Sequence, residues 1–239
     1  MEVKAIASSS LVISKELGDS GIGTLITVSF AGAPATLIPI THDSTYDTQL
    51  KYLTNPEIIN AASGLKEGAS SEDLVFADAV NTVDKIYFID YVVYVGAAGA
   101  TMLNQDLKVE LDKDTIGEIP DMRKAVSIDF YINDSADTLG TYKGTLNLVG
   151  LNNEINDTLA TKDTVVLLEN GSIYENDEPS LTEFLRVTMR VYFDGALLKT
   201  PDNPLTLGEN ESVTFINTID VNTTSLEVAI KFTAQDHTD

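Results

Sequence analysis

A periodicity of two runs through this chain and limits what it can fold into. In residues 21–30 (GIGTLITVSF), Ile22, Thr24, Ile26, Val28 and Phe30 fall on one side, a strand pattern with a β-branched bias. Residues 85–97 (KIYFIDYVVYVGA) give the strongest case. Tyr87, Ile89, Tyr91, Val93 and Val95 share one face; Ile86, Phe88, Val92 and Tyr94 share the other. A strand apolar on both faces belongs in the middle of a sandwich or under a covered surface. Further strands are expected at 35–41, 105–111, 125–133, 162–168, 185–194, 212–219 and 225–235. Helical periodicity is weak throughout. Roughly eleven to thirteen strands without strand–helix alternation predict an all-β chain, a sandwich or barrel and not a parallel sheet. The favoured architecture is a jelly-roll-like antiparallel β-sandwich.

Turn chemistry punctuates these strands. AVSIDFYIN at 125–133 is followed by the polar DSADTLG and then TYKGTLNLVG, which reads as strand, turn and return strand. Residues 185–194 repeat that organisation, with Asp194-Gly195 as a hairpin signal before ALLKT. Pro39 marks its strand as an edge or a bulge. Residues 42–72 are polar and irregular, with one short strand expected at 49–53; loops this long inside a domain are usually functional or disordered. Short helices are expected at 56–62, 72–80 and 180–184. The division that follows is an N-terminal arm at 1–17 and a single β-sandwich domain at 18–239, with a loop insertion around 42–80.

The arm, MEVKAIASSSLVISKEL, reads as a strand with no hairpin partner beside it. Val3, Ala5 and Ala7 share one face, and the apolar run Leu11, Val12 and Ile13 follows. An apolar extended arm must find a sheet edge, either its own or that of a neighbouring copy.

Charge and composition narrow the partners. The net charge is −22 and the pI about 4.2. Such a surface repels nucleic acid and anionic membrane, and both are rejected as partners. It attracts cations, and copies packed side by side need neutralising ions, for which Ca²⁺ is suited; the same charge reads equally as a means of keeping the chain in solution. The absence of cysteine excludes disulfides, thiolate metal sites and cysteine nucleophiles. No apolar run reaches the roughly twenty residues that a spanning helix needs. Met1 is followed at once by Glu2 and strand-like sequence, so no signal peptide is expected within the chain.

Motifs for catalysis are missing. His42 is placed in a loop, and His237, near the end, is expected to be a solvated tail residue. No nucleophile elbow, zinc-protease helix or phosphate-cradling loop occurs, and the chain is expected not to be an enzyme. For calcium, the candidate ligands lie in acidic loops: Asp43 and Asp47; Asp134 and Asp137; Glu154 and Asp157; Glu175 and Asp177. Each such loop also reads as a solvated turn. Asn133, Asn156, Asn170, Asn210 and Asn222 begin Asn-x-Ser/Thr triplets.

With its free N-terminal strand, FIDYVVYV, LRVTMRVYFDG and the closing SLEVAIKFTAQ, the chain resembles the secreted fibre subunits of the camelysin and TasA type. Relatives of those subunits include archaeal bundling pilins and the cannula proteins of hyperthermophilic archaea. The likeness rests on strand texture over most of the chain; the 42–80 insertion and the missing signal peptide depart from it. The resemblance implies an exported jelly-roll subunit that polymerises outside the cell into a filament or tube, with Ca²⁺ between subunits. Residues 1–14 would then pair with a neighbour's open edge and bury Val3, Ala5, Leu11 and Ile13. At roughly 25 cal/mol per Å² of apolar area, such a contact supplies several kcal/mol. The alternative is a calcium-dependent carbohydrate-binding or adhesin module, with Tyr46, Tyr52, Tyr142 or Tyr174 as a sugar platform. A hydrolase or a viral jelly-roll protein would use the same fold.

Overall fold

The computed structural model describes residues 2–7, 11–15, 25–29, 36–38, 40–43, 46–55, 58–60, 64–65, 67–111, 126–133, 139–147, 164–174, 185–194, 219–220 and 227–238. In chain order the strands are β1 (Glu2–Ala7), β2 (Leu11–Ser14), β3 (Leu25–Ser29), β4 (Thr36–Leu37), β5 (Thr41–Asp43) and β6 (Tyr46–Leu53). They continue with β7 (Ile59–Asn60), β8 (Gly64–Leu65), β9 (Phe76–Asp78), β10 (Phe88–Ala97), β11 (Met102–Leu111) and β12 (Val126–Asn133). The last are β13 (Thr141–Asn147), β14 (Thr164–Ile173), β15 (Leu185–Phe193), β16 (Ile219–Asp220) and β17 (Glu227–Asp236).

The long strands form two five-stranded sheets. Sheet A has the order β14-β11-β17-β1-β3, and sheet B the order β13-β12-β15-β10-β2. Every pairing in these sheets is antiparallel except β1 with β17, which is parallel. The expected all-β sandwich is what forms.

Alternation decides what enters the core. β12 sends Val126, Ile128 and Phe130 inward, and β15 sends Val187, Met189, Val191 and Phe193. From sheet A they meet Leu107, Val109 and Leu111 of β11 and Ile230 and Phe232 of β17. Each large side chain so buried stabilises the fold by about 1.5–3 kcal/mol relative to exposure. On one side of the sandwich, β13 comes up against β14 at Gly144. Its φ is +147°, and a Cβ there would lie 3.1 Å from a methyl of Val165. Only glycine supplies both the conformation and the room.

The insertion carries folded structure of its own. β5, β6 and β9 make a three-stranded sheet, and β7 pairs with β8. Ile40, Leu50, Ala79 and Tyr87 form a second small core with Tyr192 of β15, so the insertion docks on the outer face of sheet B. Backbone bonds from Ile38 N–H to Ile86 O (2.8 Å) and from Ile40 N–H to Phe193 O (2.9 Å) fix it there.

Of the residues 56–62, where a helix is expected, Ile58 lies in a 3₁₀ turn with its N–H on Asn55 O at 3.2 Å, Ile59–Asn60 form β7, and the rest are outside the described residues. The helix expected at 72–80 is replaced: those residues hold the end of a 3₁₀ turn at Ser71–Asp73 and then β9. The reason is local competition from side chains. Asn55 accepts the Val75 N–H (2.9 Å) and donates to Asp73 O (2.8 Å), while Asp73 accepts both the N–H and the hydroxyl of Ser70. The helix expected at 180–184 lies outside the described residues, as does most of the strand expected at 212–219. Asp194 makes a parallel bridge to Ile40, and the return strand expected after Gly195 is also outside.

Candidate functional site

The most developed polar site lies on the outer face of sheet B. The two-residue period that sends Phe130 inward sends Ser127, Asp129 and Tyr131 of β12 outward. On β15 it does the same to Arg186, Thr188, Arg190 and Tyr192. Register then aligns Thr145, Asp129, Arg190 and Asp90 in one row across β13, β12, β15 and β10. A slip of one residue would put Asp129 into the core and Phe130 outside, so the row and the core specify the same register.

Asp129 is fully buried. Its Oδ1 accepts the Thr145 hydroxyl at 2.6 Å and the Tyr192 hydroxyl at 3.1 Å; its Oδ2 accepts the Tyr131 hydroxyl at 3.4 Å. Since the Thr145 proton is committed to Asp129, the Tyr142 hydroxyl, 2.6 Å from Thr145 Oγ1, is the donor in that pair. The chain of hydrogen bonds thus runs from Tyr142 through Thr145 to Asp129, where Tyr192 joins it.

Arg190 forms the other half of the row. Its Nε and Nη2 fork onto the two oxygens of Asp90 at 2.8 and 2.7 Å. The guanidinium lies 3.7 Å from the centre of the Phe88 ring and 5.6 Å from that of Tyr131. Burial alone would lower its pKa; the bond to Asp90, then the charges of Asp90, Tyr131 and Asp129, outweigh it and hold it above its ordinary value. Burial, and after it the charge of Asp129, raises the phenols of Tyr131 and Tyr192 well above theirs. Two hydroxyls on this face, Ser127 and Thr188, are buried without a hydrogen-bond partner among the described residues. The oxygens of Asp129 and Asp90 are taken up by neighbours in the row, so its chemistry is to fix strands and phenols in place.

The arm residues fall into two places. Val3, Ala5 and Ala7 lie on β1, between β17 and β3 in sheet A, opposite Val228, Ile230 and Phe232 of β17. On the other side, Val3 and Ala5 face Val28 and Ile26 of β3. Leu11, Val12 and Ile13 lie on β2 at the edge of sheet B, paired with Ala97, Gly96 and Val95. Leu11 and Ile13 are fully buried in the sandwich core. Within one chain, the arm occupies the chain's own sheets.

The acidic candidates are not brought together by anything described. Asp43 ends β5 opposite Tyr46, and Asp47 lies on β6; their side chains are outside the described set. Asp134, Asp137, Glu154, Asp157, Glu175 and Asp177 are outside it altogether. Among the described residues no three His, Asp or Glu side chains are placed to hold a metal ion. Of the tyrosines, Tyr52 packs tilted on Tyr87 with ring centres 4.8 Å apart, and Tyr142 leans on Tyr131 at 5.6 Å. Burial, then the contact with Tyr52, pushes Tyr87 up to about 12. Tyr174 is exposed, and the side chain of Tyr46 is outside the described set.

His42 belongs to β5, opposite Leu50, and not to a loop. His237 departs further from expectation. Its Nδ1 is 2.8 Å from Asp106 Oδ1, its N–H donates to Asn104 O at 2.8 Å, and its side chain is only 20% exposed. The backbone continues the ladder past Asp236 and delivers the imidazole to β11, which sequence position near a chain end does not reveal. Of the Asn-x-Ser/Thr sites, Asn170 is exposed on β14, Asn133 ends β12, and the other three are outside the described residues.

Searches with this chain find no matching family model, no matching curated protein and no matching solved structure.

Proposed function

We propose that this chain is a structural subunit of an extracellular filament or tube, polymerising head to tail by donating residues 1–14 to the next copy, with calcium at its acidic loops. The observation that supports the reading is the position of β1. It is inserted between β17, far from it in sequence, and β3, from which β2 separates it, and is joined to neither by a hairpin. A strand in that position makes the same main-chain bonds whether it comes from its own chain or from a neighbour. When β1 and β2 come from a neighbour, donor and acceptor surfaces differ, so the contact is head to tail and need not close. The charge of −22 supports the calcium part of the reading, since stacked copies repel unless cations intervene.

The test uses the full chain and a chain lacking residues 1–14, with and without millimolar Ca²⁺, viewed by negative-stain electron microscopy. The full chain is expected to form long fibres or tubes that require calcium. The truncated chain, which loses Leu11 and Ile13 from its core, is expected to need a synthetic peptide of residues 1–14 to fold, and to stay monomeric with it. Fibres from that complex, or monodisperse particles from the full chain in every condition, would sink the proposal.

A further inference from the structure

β17 holds sheet A together in two halves. Its residues 227–232 pair with β1 and its residues 230–236 pair with β11, so only Ile230, Lys231 and Phe232 have both neighbours. Among the described residues, only β3 lies beyond β1 in this sheet. Within sheet A, the β1–β3 ribbon therefore attaches through the first half of β17, while β17 is fixed to β11 through its second half. At the far end of that second half the structure has a fastener. Gln105 Nε2 donates to Asp236 Oδ1 at 2.8 Å, His237 N–H donates to Asn104 O at 2.8 Å, and His237 Nδ1 lies 2.8 Å from Asp106 Oδ1. The same Asp106 oxygen accepts the Asn170 N–H at 3.0 Å, which brings β14 into the group. Asn104 and Asn170 both have left-handed backbones, with φ of 52° and 48°. Such conformations persist in non-glycine residues where surrounding contacts over-determine them. The Lys231–Glu110 pair further along β17 is exposed at 3.7 Å, and a screened surface pair of that kind fastens little.

We infer that the His237–Asp106 clasp is a lock on the N-terminal strand: it holds β17 in register on β11 and so sets how readily β1 leaves its place. Its role in assembly rests on the strand-donation reading; the lock itself rests on the geometry of sheet A. With the clasp closed, β17 is a fixed template and β1 leaves alone. With it open, β17 moves with the ribbon and the whole edge of sheet A opens.

Amide hydrogen exchange on the dilute, calcium-free chain tests the lock without any polymer. His237→Ala removes the side-chain bond and leaves Asp106 bonded to Asn170; Asp106→Ala removes both, and Lys231→Ala is the control. Either clasp variant is expected to speed exchange at residues 5–7 and 230–232 by about tenfold while β12 and β15 stay unchanged, because local openings are set by the contacts that close them. The control is expected to change nothing. Acceleration confined to residues 233–238 would reduce the clasp to a pin on a fraying end and overturn the inference, and so would an equal acceleration everywhere. Fibre growth separates the two ideas. Faster growth of the His237→Ala chain supports the lock as a regulator, and fibres that grow at the same rate count against it. Exchange as expected with no fibres from any chain would leave the lock standing and remove the strand-donation reading.

Discussion

On β12, Val126, Ile128 and Phe130 face the sandwich core, while Ser127, Asp129 and Tyr131 face the insertion side, and all six are buried. The core face needs only volume and shape, so its residues are interchangeable among apolar types at modest cost. On the outer face pairing matters: a missing partner there costs more than a made bond contributes. Depth of burial is the same on both sides; what differs is how much a single atom matters. The inner face supplies cohesion. The outer face ties down particular atoms, with Asp129 drawing in two strands through Thr145 and Tyr192.

The widest breach of the comparison is on the inner side. Phe130→Ala empties the centre of the core and is expected to cost about 3–5 kcal/mol in urea unfolding, as large aromatic truncations do. Asp129→Ala should follow at about 2–3 kcal/mol, because it leaves the Thr145 and Tyr192 hydroxyls buried without their acceptor. Asp129→Asn, which keeps an acceptor oxygen, should recover part of that loss; a loss equal to that of alanine would mean the outer face is held by volume after all.

Alkali should sharpen the contrast. Tyr131 and Tyr192 have phenols raised by burial and then by Asp129, whereas an unfolded phenol releases its proton near pH 10. Above that pH the unfolded chain binds fewer protons than the folded one, so stability falls as pH rises. Each such phenol contributes a loss of about 1.4 kcal/mol per pH unit until its folded pKa is reached. Their contribution is fully present below pH 10. Tyrosinate absorbance should therefore rise for these two residues only together with loss of the fold.

The smallest effect runs the other way. Ser127→Ala and Thr188→Val remove buried hydroxyls that have no partner among the described residues, and each is expected to raise stability by about 1 kcal/mol. A loss of stability in both would show that those hydroxyls are satisfied in solution.

The inner face of sheet B was legible in the sequence because alternation in AVSIDFYIN and LRVTMRVYF is set by the pleat itself. Its outer face was not. Asp129 and Arg190 look like solvated residues on a strand, and what joins them in one row, with Asp129 buried and Arg190 half-buried, is cross-strand register. The insertion reads as loop because its strands are short and their partners lie up to 27 residues away, as with Lys51 and Asp78. The pairing of β1 with β17 had no local signal either, since parallel partners are not joined by a tight turn. His237 was read by its position in the chain, which carries no information about the strand that its backbone extends.

The parallel run of β1 beside β17 also decides how the molecule carries load. Glu2 lies beside Glu227, so the start of β1 sits at the opposite end of β17 from Asp236. Tension applied between residues 2 and 238 draws the two strands past one another along their length. The ladder from Glu2 to Ala7 is then loaded all at once, not opened one bond after another. A chain pulled from those two points meets its strongest resistance at the first step, and it yields by sliding.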